Sequence, residues 1–313
     1  MRTATEQPTF DRDLPERLNR LSLTRSFNPD VDIDWNATTT DAEYESLYSA
    51  WSLLEGTGVD GALDFHGRAA FVRYQQMNLM TVAALVEHHG IAVLVRLHAR
   101  PRSPAFAEYV GHFIEEEMRH SAMFWRAVRQ IQSSVPRLRP LPTRGLRWTF
   151  RWIFRFLKTV PGDRLRNSVS FTFFRYAEQA TIYAQQMVQS KIPRQESLIH
   201  RIWTYHARDE ARHLAFDGFI LAQNRLPRPL AWLPGVLAAP CCVALSVALN
   251  ANEVWIARQL GLRVHLWELP GLMRRTTAPF KRRVFRSLAE LLRGETRTAG
   301  SDGSSGFGQS NLP

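Results

Sequence analysis

Long amphipathic stretches alternate along the chain with short clusters of proline and glycine. From about Asp41 onward apolar residues recur at helical spacing, and Asp41 is the expected N-cap of the first helix. A long helical pattern runs from about Arg68 to Ala99, is broken by Pro101 and Pro104, and resumes from about Ala105 to Ser133. Pro136, Pro140, Pro142 and Gly145 mark a long basic connection. Helical pattern returns before Pro161-Gly162, again from about Asp163 to Gln189, and after Pro193 from about Glu196 to Gln223. Pro227 and Pro229 close that run, and further apolar helices are expected over 231–261 and 278–293. Strand-type alternation is nearly absent, so the expected fold class is all-α. Residues 1–40 read as a polar N-terminal arm, 41–295 as one helical domain, and the Gly/Ser-rich 296–313 as a disordered tail.

Two apolar stripes carry an acid where the pattern calls for a hydrophobe. Glu87 is the one carboxylate between Asp64 and Glu108, and it falls in line with Met80, Ala84, Ile91 and Leu94. Glu178 falls in line with Phe171, Phe174 and Ile182. An unpaired carboxylate on such a face is costly to bury, so each requires a partner.

The helix that follows each of these acids supplies one. Glu116-Glu117-Met118-Arg119-His120-Ser121-Ala122 and Asp209-Glu210-Ala211-Arg212-His213-Leu214-Ala215 both read acid–Glu–x–Arg–His–x–Ala. Residues i and i+3 share a helix face, so Glu117 with His120, and Glu210 with His213, can grip one ion together. A lone Glu-x-x-His is weak evidence; two copies with the same flanks are not. Glu117 follows Glu87 by 30 residues (117 − 87) and Glu210 follows Glu178 by 32 (210 − 178). Each half is therefore an antiparallel helix pair with its acids at similar depth. The gap from Glu117 to Glu178 is twice as long, as the crossover of a ferritin-like four-helix bundle with additional helices around it requires.

Four carboxylates and two imidazoles are a ligand set for paired iron, or less often manganese, with positions left for dioxygen. Glu116 and Asp209 are placed to accept the far ring N–H of a ligand histidine, and Arg119 and Arg212 to pair with those acids. His206 precedes Glu210 by four residues, so 206, 210 and 213 face one side. Its counterpart in the first half is Phe113, and His206 thus adds a seventh candidate ligand outside the repeat. His88 and His89 flank Glu87 and are expected to point away from its stripe.

Composition narrows the setting more than the chemistry. The formal net charge of +11 permits nucleic acid, membrane surface or acidic partners without choosing among them, and its arginines are spread along the chain. A solvated basic surface, with no nucleic-acid role, is the simplest reading. The two cysteines, Cys241 and Cys242, are adjacent and badly placed for a disulfide, which suits a reduced, cytoplasmic setting. The apolar stretch 232–251 is interrupted by Pro234, Gly235 and Pro240, so a buried helix is expected there and membrane contact is not. The basic aromatic segment Arg147–Lys158 is the feature that could support such contact.

The pattern Glu87, Glu117-x-x-His120, Glu178 and His206-x-x-x-Glu210-x-x-His213 resembles the p-aminobenzoate N-oxygenase family of diiron oxygenases. The extra histidine is that family's distinguishing ligand, and Phe27-Asn28-Pro29-Asp30-Val31-Asp32-Ile33-Asp34-Trp35 looks like its N-terminal signature. The likeness covers about residues 20–290. It implies two iron ions and dioxygen, oxidation of a small aromatic amine through hydroxylamine to nitro compound in secondary metabolism, a separate electron donor, and a homodimer. The ligands implied are Glu87, Glu117, His120, Glu178, His206, Glu210 and His213. Met77, Met80, Phe174 and Thr181 are candidates for the substrate pocket, with core packing as the competing role. Desaturation or hydroxylation of an acyl or carrier-bound substrate is the alternative activity. A radical-generating subunit is disfavoured, because Phe124 stands one turn beyond His120 where a tyrosine is wanted.

Overall fold

A computed structural model describes residues 13–25, 27–134 and 143–292. The tail and part of the basic connection lie outside them. The described residues form eleven α-helices and no strands. In chain order these are α1 (Leu14–Arg25), α2 (Pro29–Asp32), α3 (Asp41–Trp51), α4 (Phe65–His98), α5 (Pro104–Ser134), α6 (Thr143–Thr159), α7 (Asp163–Lys191), α8 (Leu198–Gln223), α9 (Leu233–Gln259), α10 (Leu269–Arg275) and α11 (Pro279–Leu292).

The bundle is α4, α5, α7 and α8. α4 packs most extensively on α5 and α7 on α8, with α5–α8 and α4–α7 contacts closing the square. The connections within each pair are short, residues 99–103 and 192–197, which forces antiparallel neighbours. Proline and capping residues set the starts. Asp64 accepts the Gly67 N–H at 2.8 Å at the head of α4. Gly162, at φ +71°, makes the left-handed turn into α7 that a side chain would resist. Thr40, rather than Asp41, caps α3, and it does so reciprocally with Glu43.

Antiparallel packing gathers the apolar residues into two cores. One joins the first half of α4 (Phe71, Met80) with the end of α5 (Phe124), the end of α7 (Ala184, Val188) and the start of α8 (Trp203). The other joins the opposite ends, including Val93, Phe106, Phe171 and Phe216. The polar residues singled out above lie between the two cores, at mid-height in the bundle.

Three expectations are corrected. Residues 14–25 of the polar arm are helix α1, packed on α5 through buried Leu18 and an Asn19 side chain that bonds Ala105 O and Glu108, each at 3.0 Å. α9 is not broken by Pro240. That residue is exposed, as is Val236, whose carbonyl loses its helical N–H. Nor is α9 fully buried: Val236, Val243 and Val247 are exposed on its outer side while Cys241, Cys242 and Leu245 face the core.

Candidate metal centre

Each half of the bundle delivers its residues from two helices: Glu87 from α4, Glu117 and His120 from α5, Glu178 from α7, and His206, Glu210 and His213 from α8. All seven are buried. Six of them fall into two overlapping groups that could hold a metal ion, Glu87–His120–His206–Glu210 and Glu117–His120–Glu210–His213. Within each group the candidate ligand atoms lie within 4.8 Å of one another. His120 and Glu210 belong to both groups, so two ions there would be near neighbours. Glu178 is in neither group and sits beside them, on the wall of the same cavity as Glu87, Glu117 and Glu210.

The histidines are held from behind. His120 Nε2 lies 3.0 Å from Asp209 Oδ2 and His213 Nε2 lies 3.0 Å from Glu116 Oε2. Each Nδ1 is thereby left facing the centre, at 3.1 Å from Glu117 for His213. Arg212 joins the two supports, donating to Glu116 Oε1 at 2.7 Å and Asp209 Oδ1 at 2.6 Å. Arg119, expected to do the same in the other half, pairs with neither acid. His206 presents the opposite nitrogen, with Nε2 2.8 Å from Glu87 and 2.9 Å from Glu210.

The electrostatics ask for positive charge. Burial pushes the carboxyls of Glu87 and Glu178 well above the usual range, with His206 opposing at Glu87 and Asp217 adding at Glu178. Burial acts the same way on Glu210, but His206 and His213 outweigh it and hold that carboxyl well below the usual range. Burial disfavours imidazolium at both histidines, yet the surrounding acids raise His206 to about 10 and His213 well above its ordinary value. Several buried atoms have no hydrogen-bond partner: Glu87 Oε2, Glu178 Oε2, Glu210 Oε2, and Nδ1 of His120 and His213. Lone pairs left buried in this way cost about 1–3 kcal/mol each. An oxygen–nitrogen donor set converging from four helices fits a pair of divalent iron or manganese ions, which would satisfy both the charge and the lone pairs.

A cavity adjoins the centre. Its atom-free space, including the open mouth, is about 940 Å³. Glu87, Glu117, Glu178, His206 and Glu210 form one wall, and the remainder is largely apolar. Phe174 and Thr181 line it, whereas Met77 and Met80 are packed in the core. His88 is exposed, and His89 stacks on Phe150 and Phe154, so neither joins the centre. The Phe27–Trp35 segment wraps the outside: Phe27 lies over Tyr205 and 6.0 Å from the His120 ring, and Arg126 clamps Trp35 and Asp30.

Asp217 is not among the residues that the sequence repeat singles out. It is buried beside Glu178, and burial pushes its carboxyl well up. Its spacing was the available signal, because 206, 210, 213 and 217 continue one face of α8.

The sequence pattern of the family described as p-aminobenzoate N-oxygenase AurF matches residues 10–258. Similar proteins include Rv0885 of Mycobacterium tuberculosis and Mb0909 of Mycobacterium bovis, both described as uncharacterized. Each is 26% identical over 220 residues, which is 67% of this chain and 60% of theirs. The chain thus spans less than two thirds of the length of these relatives. With the family pattern covering the whole bundle through α9, the chain belongs to the p-aminobenzoate N-oxygenase AurF family.

Proposed function

We propose that the chain holds two iron ions through Glu87, Glu117, His120, Glu178, His206, Glu210 and His213, and uses them with dioxygen to N-oxygenate a small aromatic amine. The overlap of two buried ligand groups at His120 and Glu210 carries this reading. Two ferrous ions at such a centre would supply electrons for the reduction of dioxygen. Manganese suits the same donors.

The chain's own residues have separable tasks. Glu116 and Asp209 hold the protons on the Nε2 atoms of His213 and His120, which fixes the tautomer that offers Nδ1 to a metal. Arg212 donates to both acids and, together with His213 and His120, favours their ionised forms. His206 adds a nitrogen to one side of the centre only, which would make the two metal positions unequal. The apolar cavity delivers substrate against Glu87, Glu117 and Glu178 while limiting water. A separate electron donor and a homodimer, as the resemblance implies, and a cytoplasmic setting, as the adjacent cysteines suggest, complete the proposal. Hydroxylation or desaturation of an acyl or carrier-bound substrate is the second reading, favoured by the apolar lining of the cavity.

The test is anaerobic loading with Fe(II), a count of iron per chain, then exposure to oxygen with an arylamine and mass analysis of the product. Two irons per chain and an oxygenated nitrogen are expected. Iron uptake that continues past two per chain into mineral, with the amine unchanged, would sink the reading.

A further inference from the structure

The wall of the cavity opposite the metal centre is built by α9 and α11, and its polar groups are few. Apart from the residues of the centre, Lys281 is the one charged side chain among the described lining residues. Its ammonium is already committed. It is buried and donates to Glu253 Oε1, while Glu253 Oε2 accepts the Leu53 N–H at 3.1 Å. Drawing Lys281 away toward a ligand would strand a buried carboxylate. Tyr176 and Ser246 satisfy each other at 2.8 Å.

Asn250 is different. It is 3% exposed, and its Nδ2 donates to Ser246 O at 2.7 Å, which fixes the orientation of the amide. Its Oδ1 is buried with no hydrogen-bond partner, in a residue that lines the cavity. Among the described lining residues outside the metal centre, Asn250 thus carries the one buried side-chain oxygen without a hydrogen-bond partner, and Lys281, the one cation, is already paired.

From this we infer that the chamber takes an uncharged, mainly apolar molecule that presents an N–H or O–H donor to Asn250, and that it disfavours a free carboxylate such as that of p-aminobenzoate. The inference rests on the reading that this cavity serves the diiron centre. Two independent facts support it. A carboxylate buried here would lie against the Asn250 oxygen with no cation to compensate it. With two divalent ions bound, the centre itself would offer no net attraction, because their charge would cancel that of its four carboxylates. An amide or hydroxyl in the same place would fill the vacant hydrogen bond.

The experiment measures binding without turnover. Protein loaded anaerobically with two Fe(II) per chain is titrated with 4-aminobenzamide, 4-aminobenzyl alcohol, 4-methylaniline and 4-aminobenzoate by calorimetry. The amide and the alcohol are expected to bind at least tenfold more tightly than the carboxylate, and at least fivefold more tightly than 4-methylaniline. In Asn250→Leu the advantage over 4-methylaniline should fall to within twofold, with iron content unchanged. Glu253→Gln keeps an acceptor for Leu53 N–H and releases Lys281, and it should raise affinity for 4-aminobenzoate at least tenfold. Equal or tighter binding of 4-aminobenzoate by the unmodified protein, an undiminished preference in Asn250→Leu, or no binding of any uncharged probe would each overturn the inference. Failure to load two irons would instead overturn the diiron reading, so the two failures are distinguishable.

Discussion

His213 Nε2 lies 3.0 Å from Glu116 Oε2, a carboxylate that belongs to the other half of the repeat. His120 mirrors it on Asp209, so each half's histidine is held by the other half's acid. Arg212 ties the two acids together while buried. Arg212→Ala leaves both carboxylates without their cation and should cost about 3–5 kcal/mol of stability in chemical denaturation. Iron affinity should fall about 10–100-fold in a competition titration, because the histidines lose their orientation. Wild-type affinity in a destabilised variant would mean that the support is structural only.

His206→Ala tests the asymmetry of the centre. The repeat places Phe113 on His213, with ring centroids 3.7 Å apart, and His206 beside His120 at 4.7 Å. Removing His206 leaves the paired Glu-x-x-His set intact. The variant should therefore hold close to two irons per chain while its Mössbauer spectrum and its product distribution change. If the spectrum and the products match those of the unmodified chain, His206 is not a ligand.

The metal-free protein should weaken toward both acid and alkali. Burial pushes the Glu116 carboxyl up, but His213 and Arg212 outweigh that and bring it down to about 2, against 4.5 ordinarily. A depressed folded pKa contributes stability above 4.5 that is lost as pH falls toward 2. His206 has the opposite sign. Its folded value of about 10 exceeds the ordinary 6.5, so its contribution is full below 6.5 and is lost as pH rises through 10. Urea midpoints at pH 3, 6 and 10 should therefore peak at pH 6. Iron competes with the proton for the His206 imidazole, so loading should flatten the alkaline limb.

Trp203 shows how firmly one core supports the centre. It is fully buried, donates from Nε1 to Gln76 Oε1 at 2.9 Å, and packs against Trp51, Phe124 and the edge of His206. Trp203→Phe leaves Gln76 without that donor and opens a void, at a cost of roughly 2–4 kcal/mol. Thermal denaturation of the metal-free chain measures it, and an unchanged midpoint contradicts the packing argument.

The bundle and much of the centre were legible in the sequence because burial makes acids conspicuous. Glu87 and Glu178 each interrupt an apolar stripe, and the repeated Glu-x-x-His gives each a partner at matched depth. Asp217 escaped notice because the repeat offers no second copy: the position seven residues after Glu117 is Phe124. Helix α1 was hidden by charged residues that crowd a narrow apolar edge carrying Leu18. The continuity of α9 was hidden by Pro240, whose cost depends on whether the carbonyl it orphans reaches solvent, which a linear pattern does not record. Asn250 looked like any helix amide, since an unfilled hydrogen bond exists only in three dimensions.

The exchange of acids between the halves bears on how such a chain can be taken apart. Fragments ending at Ser134 and beginning at Thr143 would each carry a complete helix hairpin with its Glu and its Glu-x-x-His, yet neither would carry the acid that steadies its own histidine. Each fragment alone is an unfinished site, and the pair reconstitutes one. Two copies of a single hairpin related by a two-fold axis would be wired in the same reciprocal way, so the fused repeat keeps the logic of a symmetric dimer within one polypeptide.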